Sequence, residues 1–273
     1  MLLAIDVGNT NVTVGVFRES ELVATWRLAT DVERLPDEYG VTLLSLLGAE
    51  GVSAEAITDA VLASVVPDLV PVFDRLCQRF FHVRPLVVGT GTRTGVRILY
   101  DNPRDVGPDR IVDVVAALRL HGPPPLIIVD VGTASVFDAV SAQGDYLGGA
   151  IAPGMGLAAE ALFERAAKLY RVELVPPQHA IGKNTPAAMQ SGIVWGYVGL
   201  VEGMVARFQK ELGGHARVIA TGGFAELIAR ETAVIDVVDL DLTLSGLRFI
   251  YEANRAEASA GGGSARGGKA DVR

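Results

Sequence analysis

Residues 2–17 read LLAIDVGNTNVTVGVF, and residues 126–140 repeat the same outline as LIIVDVGTASVFDAV. Each copy is an apolar strand, an Asp-Val-Gly step, a Thr-containing turn and a second strand. A chain that builds one opening twice is expected to fold as two similar half-domains. Each would carry an acidic turn at the end of its first strand, at Asp6 and at Asp130, facing a shared cleft. After the first copy, residues 22–28, 60–66 and 85–88 read as further strands and residues 39–47 and 69–81 as helices, an alternation that points to an α/β fold.

Composition narrows the function classes. At 273 residues, 49% of them hydrophobic, and with a mean hydropathy of +0.34, the chain can bury a substantial core in one large or two moderate domains. A net charge of −8 and a pI near 5.1 oppose a phosphate backbone, so no nucleic acid partner is expected. The single cysteine, Cys77, cannot form an internal disulfide or a thiolate metal site and reads as buried filler in a reducing compartment. The start MLLAIDVGNT lacks a basic region ahead of an apolar stretch, and no apolar run has a membrane span's length. A cytoplasmic chain without membrane insertion is the expectation.

Residues 108–120 place Ile111, Val114, Val115 and Leu118 at helical spacing, with Pro108 at the first helical position. Thr185 as N-cap and Pro186 in the first turn open a second helix, whose apolar stripe from Met189 to Phe208 is interrupted by Gly192, Gly196 and Gly199, a pattern that suits close packing, a partner subunit being one candidate for it. Beyond Asn254 the chain turns small, polar and glycine-rich. The expected division is a first domain over 1–118, a second over 119–255 and a disordered tail over 256–273.

Several segments carry chemistry. In Asp6-Val-Gly-Asn-Thr, glycine and short polar side chains let amides and hydroxyls approach phosphate oxygens, and the carboxylate would hold Mg²⁺ through water. Taken alone this is also an ordinary hairpin turn; its second copy at Asp130 favours function. Residues 218–225 read as a strand, a Gly-Gly turn and a helix start, where a flat adenine can approach the backbone. With the two acidic turns, this third element resembles the nucleotide site of the actin-like, sugar-kinase and Hsp70 superfamily. Residues 181–185 lack the spacing of a phosphate-binding P-loop, and residues 89–95 miss the dinucleotide fingerprint by one residue and lead into an extended stretch, 96–100. The charged, proline-stiffened loop 100–110 ends at the helix of 108–120. There Asp109 lies in the first turn, able to accept a proton from a substrate hydroxyl, and Arg110 could orient a phosphate or carboxylate, unless the two merely complement the helix dipole and pair locally.

Six motifs in order, Asp6-Val-Gly-Asn-Thr, Gly107-Pro-Asp-Arg110, Asp130-Val-Gly-Thr-Ala134, Gly148-Gly-Ala-Ile-Ala-Pro-Gly154, Gly182-Lys-Asn-Thr185 and Thr221-Gly-Gly223, closely resemble type III pantothenate kinase over nearly everything up to Tyr251. The resemblance implies an α/β architecture of two duplicated ribonuclease-H-like, actin-like ATPase domains about a central nucleotide cleft. It implies ATP-dependent phosphorylation of pantothenate to 4′-phosphopantothenate, opening coenzyme A biosynthesis. It also implies residue roles. Asp6, Val7, Gly8, Asn9, Thr10, Asn11, Val12 and Thr13, with Thr133, would bind ATP. Asp6 would serve Mg²⁺ and Asp130 would ligate K⁺ or NH₄⁺. Tyr100, Gly107, Pro108, Asp109, Arg110 and Thr185 would form the pantothenate site, with Asp109 as general base. A homodimer is implied as well.

Two positions depart from the family pattern. Ser135 stands where a second Thr is common, and Ala166-Ala-Lys-Leu-Tyr170 replaces a segment that usually ends in Pro. The four histidines lack metal-ligand spacing, and Trp26 and Trp195 read as packing residues, Trp195 being near enough to Thr185 in sequence to line the pocket. A regulatory accessory protein for transcription that kept this fold, and a kinase acting on another small alcohol, are the competing readings.

Overall fold

A computed structural model describes residues 1–165 and 171–261. The first unit comprises residues 1–95 together with the chain from Leu244 onward, and the second comprises Val96–Thr243. The segment 166–170, where the sequence departs from the family pattern, lies outside the described residues, as do residues 262–273 of the expected tail.

The first unit opens with strands β1 (Leu2–Val7), β2 (Asn11–Arg18) and β3 (Glu21–Ala29), continues with helix α1 (Pro36–Ala49), strand β4 (Asp59–Ser64), helix α2 (Val70–Phe80) and strand β5 (Leu86–Val87). Helix α1 begins ahead of the expected 39–47 because Pro36 suits its first position and the Glu38 carboxylate accepts the Leu35 amide proton, 2.8 Å away. The sheet order is β3-β2-β1-β4-β5. β1 runs antiparallel to β2 and parallel to β4.

The second unit begins with helix α3 (Pro108–Leu120), the span read from the sequence. Strands β6 (Leu126–Val131), β7 (Ala134–Val140) and β8 (Tyr146–Pro153) follow, then helices α4 (Met155–Arg165) and α5 (Thr185–Glu211), strand β9 (Arg217–Thr221), helix α6 (Ala225–Ala229) and strand β10 (Val237–Val238). The order β8-β7-β6-β9-β10 repeats the first sheet strand for strand, with β6 antiparallel to β7 and parallel to β9. Even the turn hydrogen bonds correspond. Gly8 N–H donates to Asn11 O (2.9 Å) where Gly132 N–H donates to Ala134 O (3.0 Å), and Val65 N–H donates to Val7 O (3.0 Å) where Phe224 N–H donates to Val131 O (3.0 Å). The internal repeat is therefore a duplicated fold.

Two helices depart from the expected division at 118/119. Helix α3 packs on β6 and β7 within the second unit, whereas the last helix, α7 (Leu242–Gly261), belongs from Leu244 onward to the first. In the first unit Val12, Val14 and Val16 of β2 point into a core with Tyr39, Leu43, Phe73 and Leu76 of α1 and α2. On the opposite face Gly15 leaves room for Leu244 of α7: an added Cβ there would come within 2.8 Å of the Leu244 side chain. Helix α7 also extends to Gly261, into the segment expected to be disordered. In the second unit Ile127, Val129, Val131 and Phe137 form a core with Ile193, Val194, Val198 and Val201 of α5. Asn184, not Thr185, caps α5, its side-chain oxygen accepting the Ala187 amide proton at 2.9 Å.

Cys77 is fully buried in the first core, and burial pushes its thiol up to about 12. Native protein at pH 8 is therefore expected to resist a thiol-specific chromogenic reagent and to react with one equivalent once unfolded in guanidinium. Rapid labelling of the native chain would refute this packing.

Candidate active site

In the first unit, β1 is buried until Asp6, the point where a carboxylate can leave the sheet. Val7 and Val12, expected among the ATP-binding residues, are fully buried core side chains, so only their backbone can face a ligand. Asn9, Thr10 and Asn11 form the exposed tip of the turn, while Gly8 and Thr13 are half-buried. A Cβ on Gly8 would approach Asn11 O at 3.1 Å. Thr30, at the end of β3, clamps this turn: its hydroxyl donates to Gly8 O (2.7 Å) and its amide to Thr10 O (2.9 Å). Nothing in the local sequence marks Thr30, because its partners lie a whole hairpin away.

The second acidic turn has different surroundings. Gly222 lies at φ +92°, and a Cβ there would fall 2.2 Å from Asp130 Oδ1; one on Gly132 would fall 3.2 Å from the same oxygen. Gly154, at the end of β8, closes the turn from the other side, its amide donating to Thr133 O at 3.0 Å. A Cβ on Gly154 would strike Thr133 O at 2.1 Å. Asp130 thus sits in a cradle lined by glycine backbone, with Thr133 exposed beside it. A carboxylate enclosed by backbone is a donor set of hard oxygens, and it suits a cation held by oxygen. Among the described residues no three His, Cys, Asp or Glu side chains converge as a metal cluster. Asp6 accordingly enters as a single carboxylate, the protein contribution Mg²⁺ commonly takes when phosphates and water complete its shell.

The loop leading to α3 gathers a third group. Residues 97–99 run extended beside β8, with Leu99 N–H donating to Tyr146 O (2.8 Å) and Tyr146 N–H to Arg97 O (2.9 Å), which bears out the extended reading of that stretch. This pairing brings Tyr100 onto Tyr146, ring centroids 6.2 Å apart. Gly148, at φ +115°, would place a Cβ only 3.1 Å from the Tyr100 ring. Gly107 then caps α3 and Pro108 takes its first position. Arg110, buried, donates from Nε (2.9 Å) and Nη2 (2.6 Å) to Asp138 Oδ1 on β7, and the Tyr146 hydroxyl donates to the same oxygen at 2.9 Å. Burial opposes charge on both partners and raises the Asp138 carboxyl; at Arg110 the bond to Asp138 outweighs it and raises the guanidinium. A guanidinium does not give up its proton in a protein, so a neutral Asp138 would strand a buried charge; the pair is ionic.

Asp109 is half-buried, and burial pushes its carboxyl above the usual carboxylate range, against the pull of the Arg110 amide and charge. Its Oδ1 accepts the Arg110 amide proton at 2.9 Å. Tyr100, Asp109 and Arg110 are thus brought together, with Asp138 and Tyr146 as members that sequence reading missed. Thr185 is exposed at the start of α5, and no hydrogen bond joins it to this group.

Residues 2–207 match the family model described as type III pantothenate kinase. A type III pantothenate kinase from Moorella thermoacetica is 54% identical over 254 residues, 93% of this chain and 100% of that protein. Among solved structures, a Campylobacter jejuni protein assigned to the Baf family of transcriptional activators superposes with a TM-score of 0.60 at 18% identity, covering 93% of this chain and 99% of its own. The activator of 2-hydroxyisocaproyl-CoA dehydratase from Clostridium difficile, with bound ADPNP, gives 0.55 at 13% identity and covers 99% of each chain. At these identities the two structures establish the fold alone.

The contrast between Gly222 and Gly91 tests the cradle. Both have φ near +91°, but Gly91 borders open space. Gly91→Ala is expected to cost about 1 kcal/mol, and Gly222→Ala about 3 kcal/mol or more because strain and a clash with Asp130 combine. Urea denaturation of the two variants checks this, and equal losses would refute close contact between Gly222 and Asp130.

Proposed function

This chain belongs to the type III pantothenate kinase family, and we propose that its Asp109 is the general base that takes the proton from the primary hydroxyl of pantothenate. The enzyme phosphorylates pantothenate with ATP, the step that opens coenzyme A biosynthesis. The observation that carries the residue assignment is the environment of Asp109: a carboxylate in the first turn of α3, raised by burial and not ion-paired by the neighbouring guanidinium, which bonds Asp138.

The hydroxyl oxygen attacks the γ-phosphorus of ATP, its proton passes to Asp109, and the bond to the β,γ-bridging oxygen breaks to release ADP. Phosphoryl transfer needs mainly positioning and charge neutralisation, so the turn carrying Asp6, Gly8, Asn9, Thr10, Asn11 and Thr13 serves by aiming amides and hydroxyls at phosphate oxygens. Thr133 is assigned to ATP as well. Tyr100, Gly107, Pro108, Arg110 and Thr185 are assigned to pantothenate; Arg110, held by Asp138, acts from a fixed place. Mg²⁺ at Asp6, arriving with the nucleotide, would neutralise phosphate charge, and K⁺ or NH₄⁺ would lie at the glycine-lined carboxylate of Asp130.

A homodimer is part of the same reading. Its support is the face of α5 at Gly192, Gly196 and Gly199, where an added Cβ would meet nothing within 4 Å, together with Ile151 on β8, which is 66% exposed. A cytoplasmic location accords with the free, buried Cys77. No helix among the described residues is long and apolar enough to cross a membrane.

Purified protein supplied with ATP, Mg²⁺, K⁺ and pantothenate should form 4′-phosphopantothenate; none at saturating ATP would overturn the activity. Asp109→Asn is expected to lower kcat by about 10²- to 10⁴-fold with ATP binding retained. A base works only when deprotonated, so wild-type kcat should fall with decreasing pH, with a midpoint above the ordinary carboxylate value of about 4. An unaltered kcat in Asp109→Asn would remove the assigned base. Replacing K⁺ by Na⁺ tests Asp130 separately: turnover should drop in wild type and lose its cation dependence in Asp130→Asn.

A further inference from the structure

We propose that Asp138 is a positioning residue for this reaction, one buried carboxylate oxygen that fixes the Arg110 guanidinium and the Tyr146 hydroxyl and keeps Arg110 from pairing with the base. The inference rests on the assignment of Asp109 and Arg110 made above. Asp109 and Arg110 are adjacent on α3, so the guanidinium has a carboxylate acceptor in its own neighbourhood. It bonds instead to Asp138, with Nε at 2.9 Å and Nη2 at 2.6 Å from Oδ1.

Three features hold that choice. The Tyr146 hydroxyl donates a third bond to Asp138 Oδ1, 2.9 Å away, and the guanidinium carbon stands 5.7 Å from the centre of the Tyr146 ring. Gly149, which pairs with Asp138 across β7 and β8, makes room, since a Cβ there would lie 2.8 Å from Arg110 Nη2. Asp138 is buried, so the pair is little screened by solvent. Tyr146 in turn carries Tyr100 on its ring, which extends the fixed group to the proposed pantothenate site.

The consequence for the base has a definite sign. Asp109 feels the charge of Arg110 on its own helix and acts on Asp138 on β7, while Arg110 in turn faces Tyr146 on β8 and Tyr100 in the preceding loop. Neutralising Asp138 removes a negative charge near Asp109 and releases a positive one beside it. Both changes favour the ionised form of Asp109 and make it a weaker base.

The test is Asp138→Asn. The KM for pantothenate should rise on the order of 10- to 100-fold, the acid limb of the kcat profile should move to lower pH, and the KM for ATP should stay within about twofold. A merely structural residue would not move the acid limb. A variant with wild-type thermal unfolding, pantothenate KM and acid limb would overturn the inference. Should Asp138→Asn fail to fold, Tyr146→Phe decides, because it deletes a single donor to the same oxygen: a rise in pantothenate KM of about three- to tenfold with the limb again moved down supports the proposal, and wild-type values refute it. If the wild-type chain does not phosphorylate pantothenate, the functional reading fails and this inference with it; if it does and the variants are unaltered, this inference alone fails.

Discussion

A strand buried on both faces most readily takes a carboxylate where it leaves the sheet; within the sheet, as at Asp138, it takes a buried guanidinium. β1 and β6 are such strands, each paired on both sides and apolar along its length until the acidic residue near its end. Their backbone groups are consumed by the neighbouring strands, and their side chains by the helices packed on them. The ladders end there, and the next residues turn, closed by Gly8 N–H on Asn11 O and by Gly132 N–H on Ala134 O. Placing Asp6 and Asp130 at that point puts a charge beside a turn without burying it in the core, and the same solution follows in each unit because the same sheet is built twice.

The two copies have nonetheless diverged in what surrounds the carboxylate. After β9 the chain turns through Gly222, whose bare Cα fits against Asp130 Oδ1. At the end of β4 the corresponding position is Ser64, whose hydroxyl engages Val66 instead. A carboxylate enclosed by backbone suits a partly dehydrated cation, and one at the rim of an exposed hairpin suits an ion that keeps its water. The asymmetry of the proposed cation roles thus has a physical counterpart in one glycine.

Much of this organisation was legible in the sequence because it is local. The strands read from the sequence are found within a few residues of their expected bounds, β8 and β10 having gone unread, and α3 spans Pro108–Leu120 as its spacing and proline predict. What escaped reading depends on residues far apart in the chain. Asp138 sits in a strand of alternating character, where a lone carboxylate reads as solvent-facing; only the return of α3 and of Tyr146 shows that it faces a buried guanidinium. Thr30 looks like the end of a strand, and its clamp on Gly8 depends on how the first three strands close. The Asn184 cap was displaced by one residue because Thr and Asn are both good caps, and only the geometry at Ala187 distinguishes them. The division at 118/119 followed the repeat in the sequence, whereas packing assigns α3 and most of α7 to the unit built by the other copy.

That exchange has a hereditary meaning. The segment bearing Asp109 and Arg110 is encoded with the first copy of the repeat but finds Asp138 and Tyr146 in the second, while the helix encoded last covers the sheet encoded first. Each copy carries helices for one sheet face, α1 and α2 or α5, but not the helix on its other face, so a gene fission between them would leave each product with an uncovered sheet face and divide the Asp109 site between two polypeptides. Once the two copies were joined in this way, separating them again would cost folding and chemistry together.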